Sequence, residues 1–166
     1  SGYAINWNPH KIGELIAGDN RGVISVFNNN QNYTHWSKTS QYTYHKGSVE
    51  DIIFSPSEPF AFAHDLFPYP GSSDGTLQIV DMRVNSYNKA SMKIRAHEKD
   101  VNVCDWNKKA SHLIVTGSDD CKVKVWDLRM LSDGSEDELL CFNWHSEPIT
   151  SIKFQPNEES VIAVAS

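Results

Sequence analysis

Hydrophobic positions along this 166-residue chain come in short runs separated by polar stretches that carry glycine, proline, asparagine and aspartate. The clearest run is KVKVW at 122–126. Val123 and Val125 share one face and Lys122, Lys124 and Trp126 the other, the period of two of a half-buried strand. VNVCDW (101–106) and HLIVTG (112–117) precede it, with Asp119-Asp120-Cys121 placed as a tight hairpin turn would be. The same succession recurs as YAINW, ELIAG and VISVF within 3–27, and as VEDIIF, PFAFA and TLQIVDMR within 49–83. It starts once more as PITSIKF and SVIAVAS within 148–166. The pattern predicts an almost all-β chain of consecutive antiparallel sheets, with no helix longer than about two turns.

Three stretches depart from it. Residues 28–44, polar and aromatic without a clear period, read as a loop followed by an outer strand. HDLFPYPG at 64–71 adds about seven residues to the second repeat. Its two prolines and glycine forbid a continuing strand, so it is expected to loop out, with Phe67 and Tyr69 as candidate contact residues. Residues 130–144 contain Asp133, Glu136, Asp137 and Glu138, read as a solvated acidic loop, then LLCFNW as an outer strand.

Histidines mark the repeats. His45, His97 and His145 stand 52 and 48 positions apart, and without the insertion the first interval approaches a period of ~40–45. Trp126-Asp127, Phe27-Asn28 and Val80-Asp81 fall at corresponding places. The stretch His97 to Arg129 thereby resembles one complete WD repeat, the four-stranded blade unit of a β-propeller. The resemblance implies a partial propeller of about three blades and the start of a fourth, divided approximately as 1–44, 45–96, 97–144 and a truncated 145–166. It also implies one buried hydrogen-bonded network of His97, Thr116, Asp120 and Trp126. Each stranded member of such a network costs about 1–3 kcal/mol. Arg21 stands where Asp120 stands, so the first blade is expected to lack the full set. A catalytic His97–Asp120 pair is the alternative reading of the same two residues.

Composition narrows the function. Hydrophobic residues make up 39% and charged residues 22%, with a formal net charge of −6. This is a globular chain without the basic face that direct nucleic-acid binding needs. Its balance mildly favours a basic partner. Three cysteines, an odd number without a CxxC, suggest a reducing compartment. No apolar run is long enough to cross a membrane and no signal peptide is visible. No HExxH, GxSxG or GxxxxGK[ST] occurs, and the remaining histidines show no metal-ligand spacing. Neither a catalytic group, a metal nor a cofactor is expected. The chain opens with Ser1, not Met, and reads as a piece of a longer protein. It would then need the remainder of the propeller or self-associate.

Five segments in order, GYAINWNP, SVEDIIFSP, DVNVCDWN, GSDDCKVKVWDLR and PITSIKF, carry a closer resemblance. They are similar to the glutamate-rich WD-repeat ribosome-assembly chaperones, sisters of the retinoblastoma-associated histone-binding WD-repeat proteins. The resemblance implies a non-enzymatic scaffold for a basic client, in the nucleus or nucleolus. The client would be a large-subunit ribosomal protein or, in the sister branch, a histone. A ubiquitin-ligase or signalling adaptor is a further alternative. In this family the central opening is rimmed by residues at the start of each inner strand, here Ser48 and Glu50, Asp100 and Asn102, Pro148 and Thr150. Glu50 and Asn102 match the residue types that grip a basic tail in the histone-binding branch. The family's third acidic position, before its GYG, is Ser1 here. Glu50, Asp100 and Asn102 are the expected acidic rim, with the loop from Asp133 to Glu138 next in line.

Overall fold

The computed structural model describes residues 2–29, 32, 34–43, 47–66, 75–84, 90–134 and 136–166. Four antiparallel sheets follow one another along the chain. The first runs β1 (Gly2–Trp7), β2 (Glu14–Asp19), β3 (Ile24–Asn29) and β4 (Trp36–Tyr42). The second is β5 (Ile52–Phe54), β6 (Ala61–Leu66), β7 (Gly75–Asp81) and β8 (Met92–His97). The third is β9 (Val101–Trp106), β10 (Leu113–Ser118), β11 (Val123–Asp127) and β12 (Leu140–Phe142). The last has two strands, β13 (Ser151–Phe154) and β14 (Ile162–Ala165). Among the described residues there is no helix, and therefore none long and apolar enough to cross a membrane.

Each sheet buries one face on the next, and the alternation along the strands decides which residues meet. Ile16, Ile24 and Val26 of the first sheet pack on Val49, Ile52, Phe54 and Phe62 of the second. Ala63, Leu77 and Ile94 pack on Cys104, Trp106, Ile114 and Trp126 of the third. Val115, Val123 and Val125 pack on Ile149, Ile152 and Phe154 of the fourth. Burying each such aliphatic side chain stabilises by about 1.5–3 kcal/mol. The two outermost faces lack a neighbour. Trp7 is 58% exposed, whereas Trp106, at the same place in the third sheet, is 4% exposed.

Polar side chains stitch the innermost strands together. Asn6 Oδ1 accepts from Phe54 N at 3.2 Å, Asp51 Oδ2 from Cys104 N at 3.0 Å and Asp105 Oδ2 from Phe154 N at 2.7 Å. At the exits of these strands, Asn8 Nδ2 donates to Pro59 O and Asn107 Nδ2 to Glu159 O. A bulge at Gly117/Ser118 and the missing side chain of Gly117 let Ile149 close on β10: a Cβ there would lie 2.4 Å from Ile149 Cγ2.

One network crosses from the second sheet to the third. Trp126 Nε1 donates to Thr116 Oγ1 at 2.9 Å, and the Thr116 hydroxyl lies 2.8 Å from His97 Nε2. His97 Nδ1 lies 3.0 Å from Asp120 Oδ2. Only one direction satisfies all four groups: the hydroxyl donates to Nε2 and Nδ1–H donates to the carboxylate. Burial pushes the His97 pKa down against the pull of Asp120, so the ring is neutral. Burial alone would raise the Asp120 pKa, but the hydrogen bond from His97 overrides it and holds the carboxyl at about 2. In the first sheet Arg21 instead pairs with Asp19, Nη2 to Oδ2 at 3.1 Å.

Two sequence expectations are corrected. His64, Asp65 and Leu66 do not loop out; they continue β6, paired with Gln78, Leu77 and Thr76. The prolines that would break the strand come later, and Phe67 and Tyr69 lie outside the described residues. The acidic segment is not simply solvated. It lies along the edge of β8, with Gly134 N donating to Lys93 O at 2.8 Å and Lys93 N to Asp133 Oδ1 at 3.0 Å. Glu136 reaches Arg95 and Glu138 reaches Lys124, each at 3.4 Å. The segment thus covers the N–H and C=O of Lys93, which an open sheet edge would present to another chain.

Candidate functional site

The starts of the inner strands form one rim of the fold. Their entry points are tied to the hairpin turns of neighbouring strands: Val49 N donates to Asp19 O, Asp119 N to Asp100 O and Ile149 N to Ser118 O, at 3.0 to 3.1 Å. These bonds carry Glu50, Asp100 and Asn102 to the rim, all half-buried.

Glu50 accepts from the Ser48 hydroxyl. Asn102 Nδ2 donates to Asp119 Oδ1 at 2.7 Å and to Ile149 O at 3.1 Å. Both protons of that amide are therefore engaged, and Asn102 acts as a holder of Asp119, with only its carbonyl oxygen left for a ligand. Burial, then the charges of Asp119 and Glu50, raise the Asp100 pKa. Asp119 thereby joins the group that sequence counting reached only through Glu50 and Asp100. Thr150 is exposed and turned to β14, its hydroxyl 3.4 Å from Ala165 O, and no hydrogen bond joins it to the carboxylates.

Beneath the rim lie groups that the sequence did not single out. Asp65 is fully buried, with Oδ1 accepting from Asp51 N at 2.6 Å and Oδ2 without a hydrogen-bond partner. Burial and the neighbouring Asp51 charge push its pKa well up. Asp51 is raised by burial too, against the hydrogen bond from Cys104 N. His64, alongside, is lowered to about 4 by burial. Strand register could have pointed to the anomaly. Asp65 stands where the first and third sheets have Gly18 and Gly117, each pressed against an aliphatic side chain of the next sheet. Among the described residues no group of three or more His, Cys, Asp or Glu is placed to hold a metal ion.

Residues 88–127 match the family model for the WD domain, G-beta repeat. The chain contains a WD repeat and has the fold of a partial β-propeller. It is 37% identical over 167 aligned positions to the ribosome assembly protein rrb1 of Schizosaccharomyces pombe, across 98% of this chain and 33% of that protein. It is 28% identical to the histone acetyltransferase type B subunit 2 of Debaryomyces hansenii, across 100% of this chain and 39% of that protein. The WD-repeat chain therefore spans about a third of the length of the curated relatives it matches. In fold it is similar to a chain in the crystal structure of the mitotic checkpoint complex, with a TM-score of 0.77 and 15% identity over 98% of this chain and 43% of that one.

Proposed function

We propose that this chain is part of a non-enzymatic WD-repeat scaffold for a basic client protein in ribosome assembly, the client being a large-subunit ribosomal protein. The observation that carries the reading is the convergence of Glu50, Asp100 and Asp119 on one rim, three carboxylates against the single ammonium of Lys99, which bonds Asp119 O at 3.4 Å. A guanidinium or ammonium placed there would relieve their repulsion and gain charge-assisted hydrogen bonds. The 37% identity to the ribosome assembly protein favours that client over others. The histone-binding reading rests on the relative in the type B acetyltransferase and uses the same rim. A nuclear or nucleolar location follows from either, and three free cysteines fit a reducing compartment.

The test uses the full-length protein with Glu50→Gln and Asp100→Asn together. Affinity for the ribosomal client falls roughly tenfold, about 1.4 kcal/mol, and its salt dependence flattens while the melting temperature holds. Unchanged affinity moves the site away from this rim. Recovery of histones and not ribosomal proteins by the wild-type protein from nuclear extract selects the second reading.

A further inference from the structure

The rim lies at the beginnings of the inner strands; their far ends converge on a separate recess of about 500 Å³. Its lining combines apolar Pro9, Ile53 and Pro56 with charged Asp105, Lys108 and Lys153. Asp105 is fully engaged. Oδ1 takes Lys153 Nζ at 2.9 Å, and Oδ2 takes Phe154 N at 2.7 Å. Lys108 makes no hydrogen bond or ion pair among the described residues, leaving two ammoniums against one carboxylate. Prolines at the strand exits have no N–H and offer flat apolar surface in its place.

We propose that this recess docks an acidic peptide segment of a partner protein, with a carboxylate on Lys108 and a neighbouring aromatic ring against Pro9, Ile53 and Pro56. The chemistry is complementary at short range. A carboxylate beside an aromatic residue pairs the surplus ammonium with a charge-assisted bond and covers the apolar lining at the same time. The negative net charge of the chain as a whole does not oppose this, because at physiological salt charges more than about 8 Å away are largely screened. The two mouths of the propeller then have opposite preferences, basic chains at the Glu50–Asp100 rim and acidic ones at the Lys108 recess. The recess stands on its own observations and does not depend on the rim.

The probe is acetyl-Asp-Glu-Phe-Asp-Glu-amide, with acetyl-Lys-Lys-Phe-Lys-Lys-amide as its charge-reversed control. Each is titrated into full-length protein carrying 13C-labelled isoleucine methyl groups. The acidic peptide shifts the Ile53 methyl resonance and the basic one does not. Lys108→Glu weakens the acidic peptide by roughly tenfold, the scale of one charge-assisted contact, and leaves the melting temperature and the binding of the basic client unchanged. Equal Ile53 shifts from the two peptides, no shift with either, or full affinity in Lys108→Glu overturns the proposal.

Discussion

His97 ends the outer strand of one sheet and is bonded, 3.0 Å from Nδ1 to Oδ2, to Asp120 in the hairpin turn of the next. The bond joins consecutive sheets beside the core that contains Ala96 and Trp126. Asp120 also accepts from Lys122 N at 3.0 Å and Glu98 N at 3.3 Å, so one carboxylate holds both the turn and the crossing strand. Asp119, its neighbour, faces the rim and holds only Asn102 by side-chain bonds.

Asp120→Ala therefore lowers stability by about 1–3 kcal/mol, because it strands the His97 N–H and two backbone N–H groups. Asp119→Ala costs clearly less, since Asn102 keeps its bond to Ile149 O. Thermal melts of the two variants check this; equal melting temperatures contradict it.

The contributions of two buried histidines and of Asp120 are lost in acid in two stages. His64, lowered from 6.5 to about 4, and His97, also lowered, are buried neutral. The unfolded chain binds their protons first, so their contribution is complete above pH 6.5 and is lost as pH falls through the folded values. For His64 the full loss is about 3 kcal/mol. Asp120, lowered from 3.8 to about 2, adds a second loss between those two pH values. Urea unfolding at pH 7, 5 and 3 of Asp65→Asn protein, which removes an opposing carboxyl titration, measures both stages, and a flat profile from pH 7 to 5 contradicts the first.

Asp65 has the opposite sign. Its folded pKa lies well above 3.8, so its contribution is favourable only below the unfolded value and turns into a penalty as pH rises. Asp65→Asn keeps an acceptor for Asp51 N and removes the charge. It raises stability at pH 8 relative to the unsubstituted protein, and less at pH 4. Melting temperatures at the two pH values decide the matter; a lower one at pH 8 refutes the assignment.

Gly117→Ala drives a methyl group into Ile149, 2.4 Å from Cγ2 and 2.9 Å from Cβ, and costs about 1–3 kcal/mol. Adding Ile149→Ala restores part of the loss. Gly134, with φ +83° and open space around it, gives a milder strain of about 1 kcal/mol when changed to Ala. Comparable losses for Gly117→Ala and Gly134→Ala, with no rescue by Ile149→Ala, would count against the close approach.

The 166-residue chain on its own self-associates. Ile5 and Trp7 lie bare on one outer face, Trp144 is 80% exposed near the other, and β14 has an unpaired edge. Light scattering at micromolar concentration shows species larger than a monomer; a dilute, stable monomer is the contrary result.

What the sequence determined by itself was the local order. Alternation at Val123 and Val125, and the turn residues between runs, specify strands, their sequence and their antiparallel succession, because side chains on a strand take opposite faces with a period of two. The β fold and the WD-repeat class were legible from that order. The tertiary structure decided what meets across sheets, since those contacts depend on how sheets twist and stack and leave no period in the chain. It kept His64 and Asp65 in a strand, because pairing with Gln78 and Leu77 satisfies the backbone there at the expense of two buried polar side chains. It laid the acidic segment on β8, where Lys93, Arg95 and Lys124 offer partners at distances of 40, 41 and 14 residues along the chain. It turned Asn102 toward Asp119 and added that carboxylate to the rim, because the hairpin turn of one strand pair and the entry of the neighbouring inner strand are brought together only when the sheet closes.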